Sequence, residues 1–572
     1  MYVLQERDKS MNKKIFFISL ITAQTLLWAE SDETKVRKMI ELSPHSSNPQ
    51  VKNLSNSLKN KDQAIEYKQE KEIKPQSQSQ ENVSYIKDFI LYIDNEGETF
   101  EKLKIDKADI LQVLEGYKKQ ELNLQNLKDI TNIISYMCQV SGYPSTVAYI
   151  PPQDLSNQVV QVNIAFGTLG KFIIKDEASL LSSYAINSKL NESLKGKIIT
   201  TKKLEDAIFR INEMYGIKTS ATLQSGTEYG QSDIVVKIEK DDPASFLLYT
   251  DNYGTKSTGK YHAGVSASFN NLFKQGDNYN FYLQNSDEQQ INFGATYSTF
   301  LGDLKISPTI SKGSYILAGE RYEGLGAYGT SLNIGVNFSY PIFLTHEASS
   351  YLIFGITHKQ LQDYYFDGSL GFKKYSVVGN VGTQGTYRGI PNNSFSYTFN
   401  VFYGNVDDDG GSITLAGPEL GHFGKINLDV NNEYYLHEKL THLFSFSYQK
   451  SIGGSILDSS ETASIGGPYG VRAYLEGEGS ADNAIKASFG IRYETPLPGF
   501  YITPFYDIGY SWYENGDNYI DDHYFMDAVG LELLYLNPGK YYIKLDGARA
   551  AHKYKYDGEH RTRIYLSGGV YF

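Results

Sequence analysis

Two periodicities divide the chain. From Tyr85 to about Asp242 apolar residues recur at helical spacing between short alternating stretches. From Ala244 onward they alternate with polar residues in segments of about ten, separated by Gly, Asn, Asp and Ser. In the first region Phe89, Leu91 and Ile93 alternate as in a strand, and Ile110, Leu111, Leu114 and Tyr117 share one face of a helix. A second helix carries Leu127, Ile130, Ile134, Met137 and Cys138 on one stripe and stops at Gly142; Val147 to Ile150, then Val160, Val162 and Ile164, read as strands. This β-α-α-β-β order repeats through Phe172 to Ile174, a helical stretch near Leu180 to Leu190, the stripe Leu204, Ile208, Ile211 and Tyr215, and strands at Thr219 to Leu223 and Ile234 to Ile238. Each repeat has the length of a small domain.

Sixteen alternating segments can be placed in the second region, the first beginning near Ala244 and the last near Arg561. In the last one Ile564, Leu566, Gly568, Val570 and Phe572 share a face, with Tyr565, Ser567 and Tyr571 on the other. A strand between lipid and an aqueous lumen requires this pattern. Beyond the N-terminus no apolar run reaches the length of a membrane-spanning helix, so only a barrel could cross a bilayer. A soluble sandwich or propeller would also alternate, but sixteen strands are too many for one sandwich and no blade-length repeat is present. The expected fold is a transmembrane β-barrel of about sixteen antiparallel strands preceded by two α+β domains.

At the N-terminus, Lys13 and Lys14 precede an apolar run from Ile15 to Ala29 and read as a secretory signal peptide, with residues 1–10 an upstream start. Residues 30–83 contain no Gly and a single aromatic, Tyr67; this polar tether cannot bury enough surface to fold alone, though a helix within it could pair with something else. The expected divisions are 1–29, 30–83, 84–168, 169–243 and 244–572.

Composition sharpens the contrast, since 36 of the 47 tyrosines and 42 of the 51 glycines fall from Ala244 onward. Tyr suits the membrane interfaces, where its ring is buried and its hydroxyl stays wet. The lone cysteine, Cys138, permits no intramolecular disulfide and reads as a small core residue. A net charge of -12 argues against nucleic acid as a partner. No serine-hydrolase, zinc-protease or phosphate-binding motif is present, and the ten histidines lack metal-type spacing; neither catalysis, cofactor nor metal is expected. Asp407-Asp408-Asp409-Gly410 reads as a solvated acidic loop.

The two repeated units, lying between a signal peptide and a Tyr/Gly-rich β region, resemble polypeptide-transport-associated (POTRA) domains. Gly142-Tyr143-Pro144, then Pro151-Pro152-Gln153-Asp154-Leu155, resembles the signature of the first such domain in two-partner-secretion transporters of the haemolysin secretion/activation type. Between the eleventh and twelfth strands lies a long connection carrying Gly466-Gly467-Pro468-Tyr469-Gly470-Val471-Arg472-Ala473-Tyr474. It resembles the Val-Arg-Gly-Tyr loop tip of that superfamily, which also includes outer-membrane assembly factors; the Gly-Gly-Pro-Tyr-Gly lead-in favours the secretion branch. Ala473 stands where the family carries Gly, and Ala tolerates positive φ less well. Phe505, Asp507 and Gly509 in the thirteenth strand match the family's Phe-x-Asp-x-Gly docking motif. An arginine folded into a lumen needs a carboxylate for its fork, so Arg472 is expected to pair with Asp507, with Gly509 leaving room for the loop. The terminal Phe572 resembles the signal by which barrels are recognised for insertion.

The resemblance implies an outer-membrane translocator with its N-terminal domains in the periplasm, exporting one large secreted partner that is bound unfolded. Outer-membrane lipid and the barrel assembly machinery are its other implied partners. The alternative is an assembly factor inserting other barrels; a passive pore would need neither periplasmic domain.

Overall fold

The computed structural model describes residues 84–572 except 191, 256, 288–289, 318–325, 412–419, 515–522, 555–557 and 559. The expected signal peptide and polar tether lie outside the described residues.

The first unit runs β1 (Ser84–Ile86), β2 (Asp88–Ile93), α1 (Lys107–Glu115), β3 (Gln120–Leu122), α2 (Leu124–Val140), β4 (Thr146–Tyr149) and β5 (Val159–Phe166). Central β5 is parallel to β2 and antiparallel to β4, while β1 and β3 make a separate two-stranded ribbon that the periodicity did not announce. Both helices start on side-chain caps: Asp106 accepts the Ala108 N–H, and Asn123 exchanges reciprocal bonds with Asn126. The stripes then close the core, with Ile110, Leu114, Ile130, Ile134 and Cys138 fully buried against Val160, Val162 and Ile164.

The second unit repeats the plan with β6 (Thr168–Lys175), α3 (Ser183–Lys189), α4 (Thr201–Asn212), β7 (Ile217–Ser225) and β8 (Gln231–Lys240). Its sheet order, β6-β8-β7, again sets the last strand in the middle, parallel to the first and antiparallel to the second. Leu204, Ile208 and Ile211 of α4 pack on Ile234 and Val236.

The barrel strands are β9 (Ala244–Asp251), β10 (His262–Asn270), β11 (Asn278–Ser286), β12 (Ile291–Leu301), β13 (Leu304–Ile316), β14 (Tyr328–Leu344), β15 (Ala348–Tyr365) and β16 (Leu370–Tyr387). They continue as β17 (Asn393–Gly411), β18 (Gly421–His437), β19 (Leu440–Ile452), β20 (Asn483–Glu494), β21 (Phe500–Trp512), β22 (His523–Asn537), β23 (Tyr541–Arg549) and β24 (Thr562–Tyr571). Each pairs antiparallel with its neighbour, and β24 closes on β9 from Ser567 opposite Asp251 to Tyr571 opposite Leu247. Reciprocal backbone bonds between Phe246 and Phe572 extend that seam. The alternation has the expected sign: Ile564 is 63% and Leu566 49% exposed, whereas Tyr565 and Ser567, which alternate with them, are buried in the lumen.

Two features differ from the sequence reading. Strands β14 to β18 run for 17 to 19 residues instead of about ten. An apolar band of about 25 Å needs only roughly ten tilted residues, so these ladders continue past the membrane, where pairing persists without lipid to enforce the pattern. Asp407 and Asp408 accordingly sit on β17, opposite Tyr375 and Lys374, and not in a loop.

Because β9 leaves the second unit, the turns after β10, β12 and β14 lie on the side of that unit, and α4 is fastened across them. Arg210 bridges Asp206 at 2.8 Å and Asp303 of the β12–β13 turn at 2.7 Å. Asp206 also accepts the Leu344 N–H at 2.9 Å, and the Tyr351 hydroxyl donates to Glu213 at 2.9 Å. The Ser182 N–H donates to the Lys274 carbonyl, and the Tyr215 N–H to that of Gly276. At the far end the β19–β20 connection, residues 453–482, folds back into the barrel.

Candidate functional site in the barrel lumen

Local backbone bonds build the loop tip before any wall contact is made. The Val471 N–H donates to the Ile465 carbonyl at 2.8 Å, the Gly470 N–H to Gly467, and the Tyr474 N–H to Val471. Gly467 supplies φ +108 where the chain reverses, a conformation that suits glycine. Ala473 is not among the described non-glycine residues with positive φ, so the tip turns without asking for glycine there.

The tip brings an apolar face to the wall. Ile465, Val471, Ala473 and Tyr474 are buried against Ala484, Phe505, Met526, Ala528 and Ala548. Gly509 makes this approach fit: a Cβ there would stand 2.9 Å from the Ile465 Cβ and 3.1 Å from Val471 Cγ2. Tyr469 packs edge-on against Tyr253 beside the seam, and the Tyr565 hydroxyl donates to the Tyr474 carbonyl.

Within this water-poor pocket Arg472 forks onto Asp507, Nε to Oδ2 and Nη2 to Oδ1, both at 2.8 Å. Its own N–H donates to Asp507 at 3.2 Å, and its guanidinium stacks 3.2 Å from the centroid of Phe505. Phe505, Asp507 and Gly509, alternate residues of β21, therefore each meet the loop.

Further partners carry no signal in the local sequence. Arg472 Nη1 reaches Glu532 on β22 at 3.4 Å and Asp546 on β23 at 3.2 Å, Nη2 reaches the Ser488 hydroxyl on β20 at 3.2 Å, and that hydroxyl donates to Asp507 at 2.7 Å. Lys544 stands 3.1 Å from Glu532 and 3.2 Å from Asp546. Two cations thus sit among three carboxylates. Arg472, Asp507 and Asp546 are withdrawn from water while Glu532 and Lys544 are partly exposed, so removing Arg472 strands buried carboxylates. Only strand alternation could have hinted at Glu532, Lys544 and Asp546, each a charged residue on the luminal face.

The residues singled out in the first unit serve another purpose. Gly142 has φ +99 just past the end of α2, and Tyr143 stacks edge-on upon Phe166 while donating its hydroxyl to the Leu103 carbonyl at 2.7 Å. After Pro151, Gln153 pairs its side-chain amide with both backbone groups of Gln161, continuing the β5 ladder where β4 has ended. Asp154 accepts from the Ser156 N–H and hydroxyl, and Leu155 packs on the core. The segment is a structured return between strands. Burial pushes the Cys138 thiol up to about 11, as expected of a packed side chain and not of a nucleophile.

Known proteins share this assembly. The family described as haemolysin secretion/activation protein ShlB/FhaC/HecB matches residues 230–533, and the ShlB-type POTRA domain matches residues 99–167. The chain is 23% identical over 462 residues to the heme/hemopexin transporter protein HuxB of Haemophilus influenzae strain 86-028NP, covering 77% of this chain and 80% of that one. It is 22% identical over 386 residues to the outer membrane transporter CdiB of Dickeya dadantii, covering 65% and 67%. In fold it resembles the solved CdiB from Escherichia coli, with a TM-score of 0.64 at 17% identity over 96% of this chain and all of that one. The chain belongs to the haemolysin secretion/activation family of two-partner-secretion transporters of the outer membrane.

Proposed function

We propose that this transporter exports one large partner, haemolysin-like or adhesin-like, from the periplasm to the cell surface or medium. The observation that carries the reading is the joining of two periplasmic units to a barrel whose lumen is crossed by its own ion-paired loop. A passive pore needs neither feature. The relatives named as transporters favour export over the insertion of other barrels.

The partner arrives unfolded and adds a strand to a free sheet edge of the first unit. Edge strand β4 is a poor acceptor, since its outward groups are engaged: the Thr146 N–H with Tyr143, the Thr146 carbonyl with Gln139 and the Ala148 N–H with Ser135. That favours the opposite edge, β2, where Ile90 and Tyr92 are more than half exposed. The chain then passes extended through the lumen, and folding outside supplies direction. Arg472 and Asp507 hold the loop in register between export events. Residues 30–83 plug the resting pore, Phe572 presents the barrel to the assembly machinery, and outer-membrane lipid surrounds the strands. No catalytic step is assigned to the chain.

Quantitative mass spectrometry of the culture medium and the outer membrane, with and without the gene, tests this. One large protein should vanish from the medium while other barrels persist. A joint fall of many barrels would instead make the protein an assembly factor.

A further inference from the structure

The loop that carries Arg472 touches the barrel a second time, on a different wall and by a different chemistry. Before the tip, Leu457 is buried among Val378 of β16, Val406 of β17 and Phe423 of β18. The next residue, Asp458, receives Lys374 Nζ at 2.5 Å. Three residues on, Glu461 receives Lys359 of β15 at 2.5 Å and Lys425 of β18 at 3.0 Å. The Glu461 carbonyl also accepts from Lys425 at 2.8 Å and from the Gln449 side chain on β19 at 3.0 Å. Both acid side chains are almost wholly buried, at 2% and 3% exposed.

Three lysines on neighbouring luminal positions repel one another unless acids stand among them, and two carboxylates with so little water need cations beside them. The wall and the loop limb each lack what the other supplies. The apolar contact of Leu457 beneath the ion pairs excludes water and strengthens them. The loop therefore spans the lumen, fixed at its base to β15, β16 and β18 by lysines and at its tip to β20 through β23 by Arg472.

We propose that Lys359, Lys374 and Lys425 are positioning residues that anchor the loop base through Asp458 and Glu461, so that opening the Arg472 end swings the tip about a fixed base instead of freeing the whole loop. The proposal rests on reading the chain as an exporter whose lumen the loop obstructs. After an opening, the anchored base returns Arg472 to the register in which Asp507 can receive it.

The test uses the full-length protein and, beside it, the protein without residues 30–83, in planar bilayers and without any partner, so that it depends neither on export nor on the plug. Lys374→Glu sets a carboxylate against buried Asp458 and should raise the mean conductance by about twofold or more. Adding Asp458→Lys restores the pair with reversed sign and should return the conductance to that of the parent. Where Lys374→Glu fails to insert, Asp458→Lys takes its place as the single change, setting an ammonium against Lys374, with Lys374→Glu as the compensating change. An inserted barrel of unchanged conductance, or a raised conductance that the compensating change leaves untouched, overturns the anchor. Secretion by the same strains is read separately. Raised conductance that the compensating change reverses, accompanied by undiminished release of the partner, upholds the anchor and refutes its tie to export.

Discussion

The molecule has two kinds of interior, held by opposite means. In the periplasmic units the core is aliphatic: Ile110, Ile130, Ile134, Val162 and Ile164 exclude water, and polar groups serve at helix ends. In the barrel most apolar side chains of the strands face lipid, and inside, beside two small apolar contacts of the loop, the joints are made by charges: Arg472 with Asp507, Lys374 with Asp458, Lys425 with Glu461. An aliphatic core loses stability in proportion to the volume removed. A charged interior tolerates little removal at all, because every missing partner leaves a desolvated charge.

Removing Arg472 is the most severe way to break the second kind of interior. Arg472→Ala strands Asp507 and leaves Glu532 and Asp546 with Lys544 as their one cation, at a cost of about 3–5 kcal/mol to loop docking. Secretion should fall by about tenfold or more while the barrel still inserts, seen as unchanged heat-modifiable migration on gels. Arg472→Lys should not rescue secretion, since an ammonium cannot make the two parallel bonds to Asp507. Normal secretion by either variant would remove the lock.

The matching change in the aliphatic interior is Ile134→Ala. It opens a cavity under a fully buried side chain and should destabilise the first unit by about 2–5 kcal/mol. Cys138, one turn along α2 and wholly buried, reports the damage: thiol alkylation at pH 8 should be negligible in the parent and rapid in the variant. Equal labelling rates would show that the core absorbs the loss.

A gentler change acts where the loop meets the wall by shape alone. Gly509→Val puts a branched side chain into space already filled by Ile465 and Val471, costing about 1–3 kcal/mol. It should raise bilayer conductance, while Gly547→Val, where an added Cβ meets nothing within 4 Å, should not. Equal conductance in the two variants would refute the fit.

The two interiors were also legible to different degrees. Helical stripes announced the periplasmic cores because residues that touch there lie three or four apart along the chain, as Ile130, Ile134 and Cys138 do. Barrel strands were legible through alternation, and their pairing followed because each neighbours the next in sequence. The Arg472–Asp507 contact was legible through two family motifs. The lysine anchor was not: Lys359, Lys374 and Lys425 lie on three strands whose separation from Asp458 and Glu461 obeys no local period, so only the closed barrel brings them together. The excess length of β14 to β18 was hidden for a related reason, since no lipid enforces alternation beyond the membrane.

The smallest expected effect lies where the two interiors meet. Lys189 of α3 is buried at the joint with the barrel, its Nζ 3.8 Å from Asp303 and 4.1 Å from the centroid of the Phe300 ring. It has no hydrogen-bond partner among the described residues, and neither has Asp303 Oδ1, since Arg210 holds only the other carboxylate oxygen, at 2.7 Å. Burial lowers its pKa to about 8 from an ordinary 10.5. With the folded value below the unfolded one, the docked joint disfavours the charged amine. Docking should therefore tighten as pH rises through about 8 towards 10.5, and below about 8 the full penalty applies. Lys189→Met keeps the packing stem and removes the charge, so it should slow proteolysis across the joint at pH 7 by an amount equivalent to about 1 kcal/mol and abolish the pH dependence. Faster proteolysis in the variant would mean that the ammonium gains more from Asp303 and the Phe300 ring than it loses on leaving water, and that the joint belongs with the charged interior of the barrel.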